Sequence, residues 1–138
     1  MKYKIIGKYI KHLDFRIPNS KTFFLLTKNI ANYKINIDIK SDRVKENIIE
    51  VLTTLNLTPT KDGFEKINSK IIFATIIELE DINIEKREME RIILVDVPSN
   101  IYTELRKIFV SLFESSGFKD LRINEKIDFQ KLYNARRT

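Results

Sequence analysis

Apolar residues in the first part of this chain recur at every second position, and later they recur at every third or fourth. Four stretches carry the two-residue period of half-buried strands. The first sets Tyr9, Lys11, Leu13, Phe15 and Ile17 on one side and Lys8, His12, Asp14 and Arg16 on the other, and Pro18-Asn19-Ser20 ends it, since proline has no N–H for a ladder. The second, Tyr33 to Lys40, opposes Ile35, Ile37 and Ile39 to Lys34, Asn36, Asp38 and Lys40. The third, Ile48 to Thr58, opposes Ile49, Val51, Leu55 and Leu57 to Glu50, Thr54, Asn56 and Thr58, and stops at Pro59. After a turn at Lys61-Asp62-Gly63, the fourth runs from Ile67 to Glu80. Its inner side is Ile71, Phe73, Thr75, Ile77 and Leu79, yet its other side carries Ile72, Ala74 and Ile76. A strand apolar on both sides needs two covers, and a subunit interface or a substrate would supply the second.

The period then changes. Pro98-Ser99-Asn100 predicts a helix start with a capping side chain. Ile101, Leu105, Ile108, Phe109, Leu112 and Phe113 form its apolar stripe, and Gly117 stops it because glycine enters the left-handed region cheaply. A second helix starts with Asp128 as N-cap and carries Phe129, Leu132 and Tyr133 at helical spacing. Residues 85–96, with Met89, Ile92, Ile93 and Val95, suit either a short helix or a linker strand. Strands first and helices afterwards give an α+β fold: a four-stranded antiparallel sheet followed by two helices packed on one face.

A chain of 138 residues predicts one domain, 1–138, large enough for a core without staples. The absence of cysteine excludes disulfides, thiolate metal sites and thiol nucleophiles. No apolar run approaches the ~20 residues of a membrane span. The N-terminal residues lack the pattern of a signal peptide, so the expected location is the cytoplasm, without membrane insertion.

Candidate chemistry is sparse. His12 is the one histidine, and it sits on a strand with no obvious nucleophile or orienting group. Gly7, Gly63 and Gly117 are too far apart for a phosphate loop, and Glu78, Glu80 and Asp81 read as a solvated strand end rather than a metal site. The expectation is therefore no enzyme, no cofactor and no metal. The formal net charge of +6 raises a rival reading, a basic nucleic-acid-binding sheet protein. Against it, the basic residues are dispersed: Lys2, Lys4, Lys8, Lys11 and Arg16 near the first strand, Arg136-Arg137 at the end. Most aromatics also fall in phase with the aliphatic residues instead of alternating with basic ones.

Two stretches resemble the SecB family of export chaperones. Tyr9-x-Lys11-x-Leu13-x-Phe15-x-x-Pro18-Asn19 looks like the family's first strand, and Phe24 falls where the family has a phenylalanine in its crossover segment. Later, Pro98 with Asn100 or Ile101, then Arg106, Phe118, Leu121 and Ile123, then Asp128-Phe129 and Leu132-Tyr133, is similar to the family's helical half. The resemblance implies a cytoplasmic homotetramer, a dimer of dimers, that binds unfolded polypeptides without ATP or metal and passes secretory precursors to SecA. Typical members are acidic where this chain carries His12 and Arg16, and they have a crossover tryptophan near the place of Lys28 and a C-terminal tail beyond the last helix, where this chain reads Asn134-Ala135-Arg136-Arg137-Thr138. Those departures count against SecA docking and make a specialised member, such as one guarding an antitoxin, a variant to set beside general export. Groove candidates for unfolded polypeptide are Phe24, Phe73, Ile76, Tyr102, Phe109 and Tyr133; interface candidates are Ile72, Ala74, Ile76, Leu105 and Leu112.

Overall fold

A computed structural model describes residues 2–119, 121 and 123–137; the side chains of Arg136 and Arg137, and Thr138, lie outside the described residues. The elements are β1 (Tyr3–Arg16), α1 (Ser20–Asn29), a 3-10 turn (Ile30–Asn32), β2 (Tyr33–Lys45), β3 (Ile48–Pro59), β4 (Asn68–Leu79), α2 (Lys86–Arg91), a π-helical turn (Ile92–Asp96), α3 (Val97–Ser115) and α4 (Phe129–Arg137). The strands form one antiparallel sheet in the order β1-β4-β3-β2. The α+β expectation is met, with more helix than the periodicity predicts.

Two of the extra helical pieces have local causes. Asn19, expected only to end a strand, caps α1: its side chain accepts the N–H of Thr22 at 2.8 Å. The ambiguous stretch 85–96 is helical and runs into α3, so Ser99 and Asn100 sit inside a continuing helix and cap nothing. Pro98 has no N–H to offer the carbonyl of Leu94 four residues back. The turn just before it widens instead, and Val97 N–H reaches Ile92 O five residues back. At the far end Gly117, at φ +95°, closes α3; an added Cβ there would come within 3.3 Å of the Phe23 ring.

The core lies between the sheet and α3. Leu105, Phe109 and Phe113 come down on Leu55, Ile71 and Phe73, all buried, with Leu26 and Phe118 at one margin. Phe113 meets Phe15 edge-on at 5.0 Å and Phe109 at 5.3 Å. A second cluster of Ile49, Val51, Ile77, Leu79, Ile92 and Val97 fills the other end of the layer.

The expected faces of β2, β3 and β4 agree with their registers, and β1 departs from its own. Bulges between Ile5 and Gly7 and between Ile10 and His12 interrupt the alternation. A slip of one residue exchanges the faces. Tyr9 therefore lies with His12, Asp14 and Arg16 on the open side, whereas Leu13 and Phe15 face the helices together with Lys8. Two contacts report this directly: Lys8 Nζ reaches Glu104 of α3 at 2.9 Å, and Tyr9 donates its hydroxyl to Glu50 of β3 on the open side.

On that open side Glu50 clips β1 to β3 across β4. It accepts from Tyr9 and, at 3.2 Å, from Lys11 Nζ. The Tyr9 hydrogen bond chiefly, with help from Lys11, holds the Glu50 carboxyl below its ordinary range, although burial opposes this. The same bond raises the Tyr9 hydroxyl.

Replacing Phe109 by Ala empties a site with no exposure and should cost about 3–5 kcal/mol in urea unfolding, with the slope unchanged. A carboxylate with a lowered pKa stabilises the fold above its unfolded value, and that contribution is lost as pH falls through the lowered value. The stability gap between the native chain and Tyr9→Phe should therefore shrink on going from about pH 7 to about pH 3. A gap independent of pH would mean that the carboxylate is not its source.

Candidate functional site

β2 ends the sheet, and its outer edge has no neighbouring strand among the described residues. An open strand edge presents unpaired backbone donors and acceptors in a row. Beside it, on the helix-bearing side, α4 and the π turn leave a groove of about 440 Å³ lined by Ile37, Asp38, Ile39, Leu94, Phe129, Leu132, Tyr133 and Ala135.

Each wall has a local origin. Ile37 and Ile39 belong to the helix-facing row of β2, since they pair with Leu55 and Thr53. Asp128 starts α4 as expected, its carboxylate accepting Lys131 N–H at 3.0 Å. The helical spacing then buries Phe129 and Tyr133 and leaves Leu132 48 % exposed. Leu94 enters from the π turn ahead of Pro98. The floor is pinned rather than loose. Tyr102 meets Phe129 edge-on at 5.9 Å and donates its hydroxyl to Asn124 O at 2.7 Å. Burial raises the Tyr102 pKa, and the nearby Arg106 charge partly offsets the rise. The Tyr133 hydroxyl donates to Glu90 at 3.1 Å. Both phenols thus have partners, and what remains for a visitor is an apolar wall beside backbone polar groups and the Asp38 carboxylate.

The six groove candidates scatter. Tyr133 lines the groove. Tyr102, almost wholly buried, backs the groove floor through Phe129. Phe73 and Phe109 are enclosed between sheet and α3 and serve this chain's own core. Ile76 is half-buried on the opposite side of the sheet, beside Gly7 of β1 and Glu50 of β3. Phe24 is 68 % exposed on α1, next to Phe23, which packs on Phe118 at 5.1 Å. The interface candidates also divide. Ile72, Ala74 and Ile76 lie on the open side of β4, Leu105 is fully buried on the sheet-facing side of α3, and Leu112 is half-buried on the flank of α3. They do not form one surface.

Periodicity alone passes over Ile37, Ile39, Leu94, Phe129 and Leu132 as groove residues. Their apolar character is visible in the sequence, but the unpaired edge beside them is a property of strand order.

Comparison with known proteins identifies relatives. The family described as "Preprotein translocase subunit SecB" matches residues 1–138. The putative protein-export protein SecB of Pelagibacter ubique is 40% identical over 134 residues, covering 97% of this chain and 96% of the relative. The protein-export protein SecB of Rhodospirillum rubrum is 27% identical over 135 residues, covering 96% and 80%. Among solved structures, a SecB-like chaperone of Mycobacterium tuberculosis, in complex with a peptide from an antitoxin, superposes with a TM-score of 0.57 at 11% identity, covering 89% of this chain and 90% of that one. At that identity the likeness speaks for the fold.

Proposed function

We propose, from the premise that this chain belongs to the SecB family of protein-export chaperones, that it holds non-native polypeptide in the groove between β2 and α4. The supporting observation is the pairing of an apolar wall with an unpaired strand edge. Unfolded chains share exposed apolar side chains and unsatisfied backbone groups, and this site offers a match to each. An extended segment laid along β2 would place alternate side chains against Ile37, Ile39 and Leu132 and hydrogen-bond through its backbone. Each buried side chain contributes on the order of 1.5–3 kcal/mol, so one groove is weak and several on one assembly are strong. No nucleotide or metal is required, and the reading is of a non-enzymatic, cytoplasmic holdase.

Assembly into a homotetramer belongs to the same proposal. β1 is the other end of the sheet. Its helix-facing side is anchored to α3 by Lys8–Glu104 at one point and Phe15–Phe113 at another. Between these anchors Ile10 and Leu13 remain 45 % exposed. Ile108 and Leu112 continue the α3 face that starts at Glu104, at steps of four residues. A second copy laid against this flank would cover them. Clients include secretory precursors or, as the peptide bound by the mycobacterial neighbour suggests, an antitoxin.

The nucleic-acid reading loses its first-strand track. Lys2, Lys4, Lys8, Lys11 and Arg16 are all engaged with acids of this chain.

The protein at stoichiometric concentration should suppress aggregation of an unrelated unfolded protein without nucleotide. Leu132→Asp should abolish most of that suppression while leaving unfolding nearly unchanged, because the side chain is half in solvent already. Unaltered suppression by this variant would remove the groove from the mechanism. Leu13→Glu should reduce the mass measured by light scattering; a native protein that is already monomeric at micromolar concentration would refute the assembly.

A further inference from the structure

α3 repeats its core contacts at steps of four residues. Read back from its far end, Phe113, Phe109, Leu105, Ile101 and Val97 are all buried. The next step in an unbroken α-helix is Ile93. It is only half-buried, and Ile92 lies in the core in its stead. A second line runs beside the first. Tyr102 and Pro98 are buried, and four residues further back comes Leu94, which is half-buried and lines the groove with Ile37 and Ile39. The wide turn at Ile92–Asp96, where Val97 N–H reaches Ile92 O five residues back, accounts for both displacements. One added residue turns everything ahead of it by about 100° around the helix axis.

Apolar character does not choose between the two registers. Ile92, Ile93, Leu94 and Val95 are consecutive, so an apolar side chain fills the core position whether or not the turn widens. Pro98 does choose. In a regular helix its ring would press on the Leu94 carbonyl, and it has no N–H to give that carbonyl. Widening the turn relieves the clash. The same rotation acts on α2, whose Glu90 accepts the Tyr133 hydroxyl at 3.1 Å and so ties α2 to the groove floor.

We propose that Pro98 is a positioning residue for the groove: by forcing the wide turn it keeps Leu94 out of the core and in the groove wall, with Glu90 turned towards Tyr133. The inference rests on the groove reading given above and names what shapes that site. Pro98 is itself buried and is not among the lining residues. With an N–H at position 98 the helix closes to four-residue steps. Ile93 then takes the place of Ile92, Leu94 turns towards the core, and the groove loses part of its wall.

The test uses the full-length protein and one peptide of about 15 residues, Leu alternating with Ser and Gln, bearing an uncharged dye, with affinity read by anisotropy. In the native chain Leu94→Ala should weaken binding about fivefold. Pro98→Ala and Pro98→Val, the second keeping apolar bulk, should weaken it by a similar factor, and at least one of them should melt close to the native chain. In those backgrounds Leu94→Ala should change binding by less than about twofold, because its side chain has already left the site. A proline with a merely structural role would leave the two effects additive. Native affinity in both Pro98 variants, or an undiminished Leu94→Ala effect in them, overturns the assignment and leaves the groove reading standing. Loss of folding in both does the same, since a helix relieved of its proline should close up rather than come apart. No binding by the native chain, or binding indifferent to both Leu94→Ala and Leu132→Asp, overturns the assignment and the groove reading together.

Discussion

The fold depends on how α3 lies across the sheet. Leu105, Phe109 and Phe113 need a partner surface, and Leu55, Ile71 and Phe73 on the two central strands are that surface. One helix about 10 Å across cannot cover four strands spaced nearly 5 Å apart. Burial is therefore complete at β3 and β4 and partial at the two ends. At β1 the uncovered rows are Ile10 and Leu13; at β2 they are Ile37 and Ile39, sheltered in part by α4. Both surfaces assigned a role here are consequences of that geometric shortfall.

Electrostatics then acts at the β1 end. The basic residues of β1, with Lys2 just before it, reach acids on α2, α3, β3 and β4 and on β1 itself, so the strand is tied to most of the layer around it. Exposed pairs of this kind are each worth little. Their larger consequence is that basic residues at this end of the sheet are paired within the chain, which suits a second copy of the same chain, since an identical surface would repel itself if strongly charged.

Much of this was legible beforehand. The two-residue period marked four strands and chose the buried rows of β2, β3 and β4 correctly, because a sheet with one helix-bearing side leaves little freedom in register. Asp128 and Gly117 marked a helix start and a helix stop through their own side-chain and backbone chemistry. The paired motifs around Tyr9–Asn19 and Pro98–Tyr133 pointed to the family. What failed did so for identifiable reasons. The two bulges in β1 leave the residue list unchanged while exchanging the faces of Tyr9 and Leu13. Pro98 signals a helix boundary by local rules, but a continuing helix absorbs it by widening one turn.

Local periodicity is enough to mark the four strands, α3 and α4, and the buried sides of β2, β3 and β4, since these follow from which side chains recur at which spacing. Which strands became edges and which aromatics became core was settled by long-range packing. Phe109 and Tyr133 occupy equally apolar helical stripes, yet one lies under the middle of the sheet and the other beside its open end. Strand order and helix placement are set by contacts between residues far apart in the chain, and no local pattern encodes them.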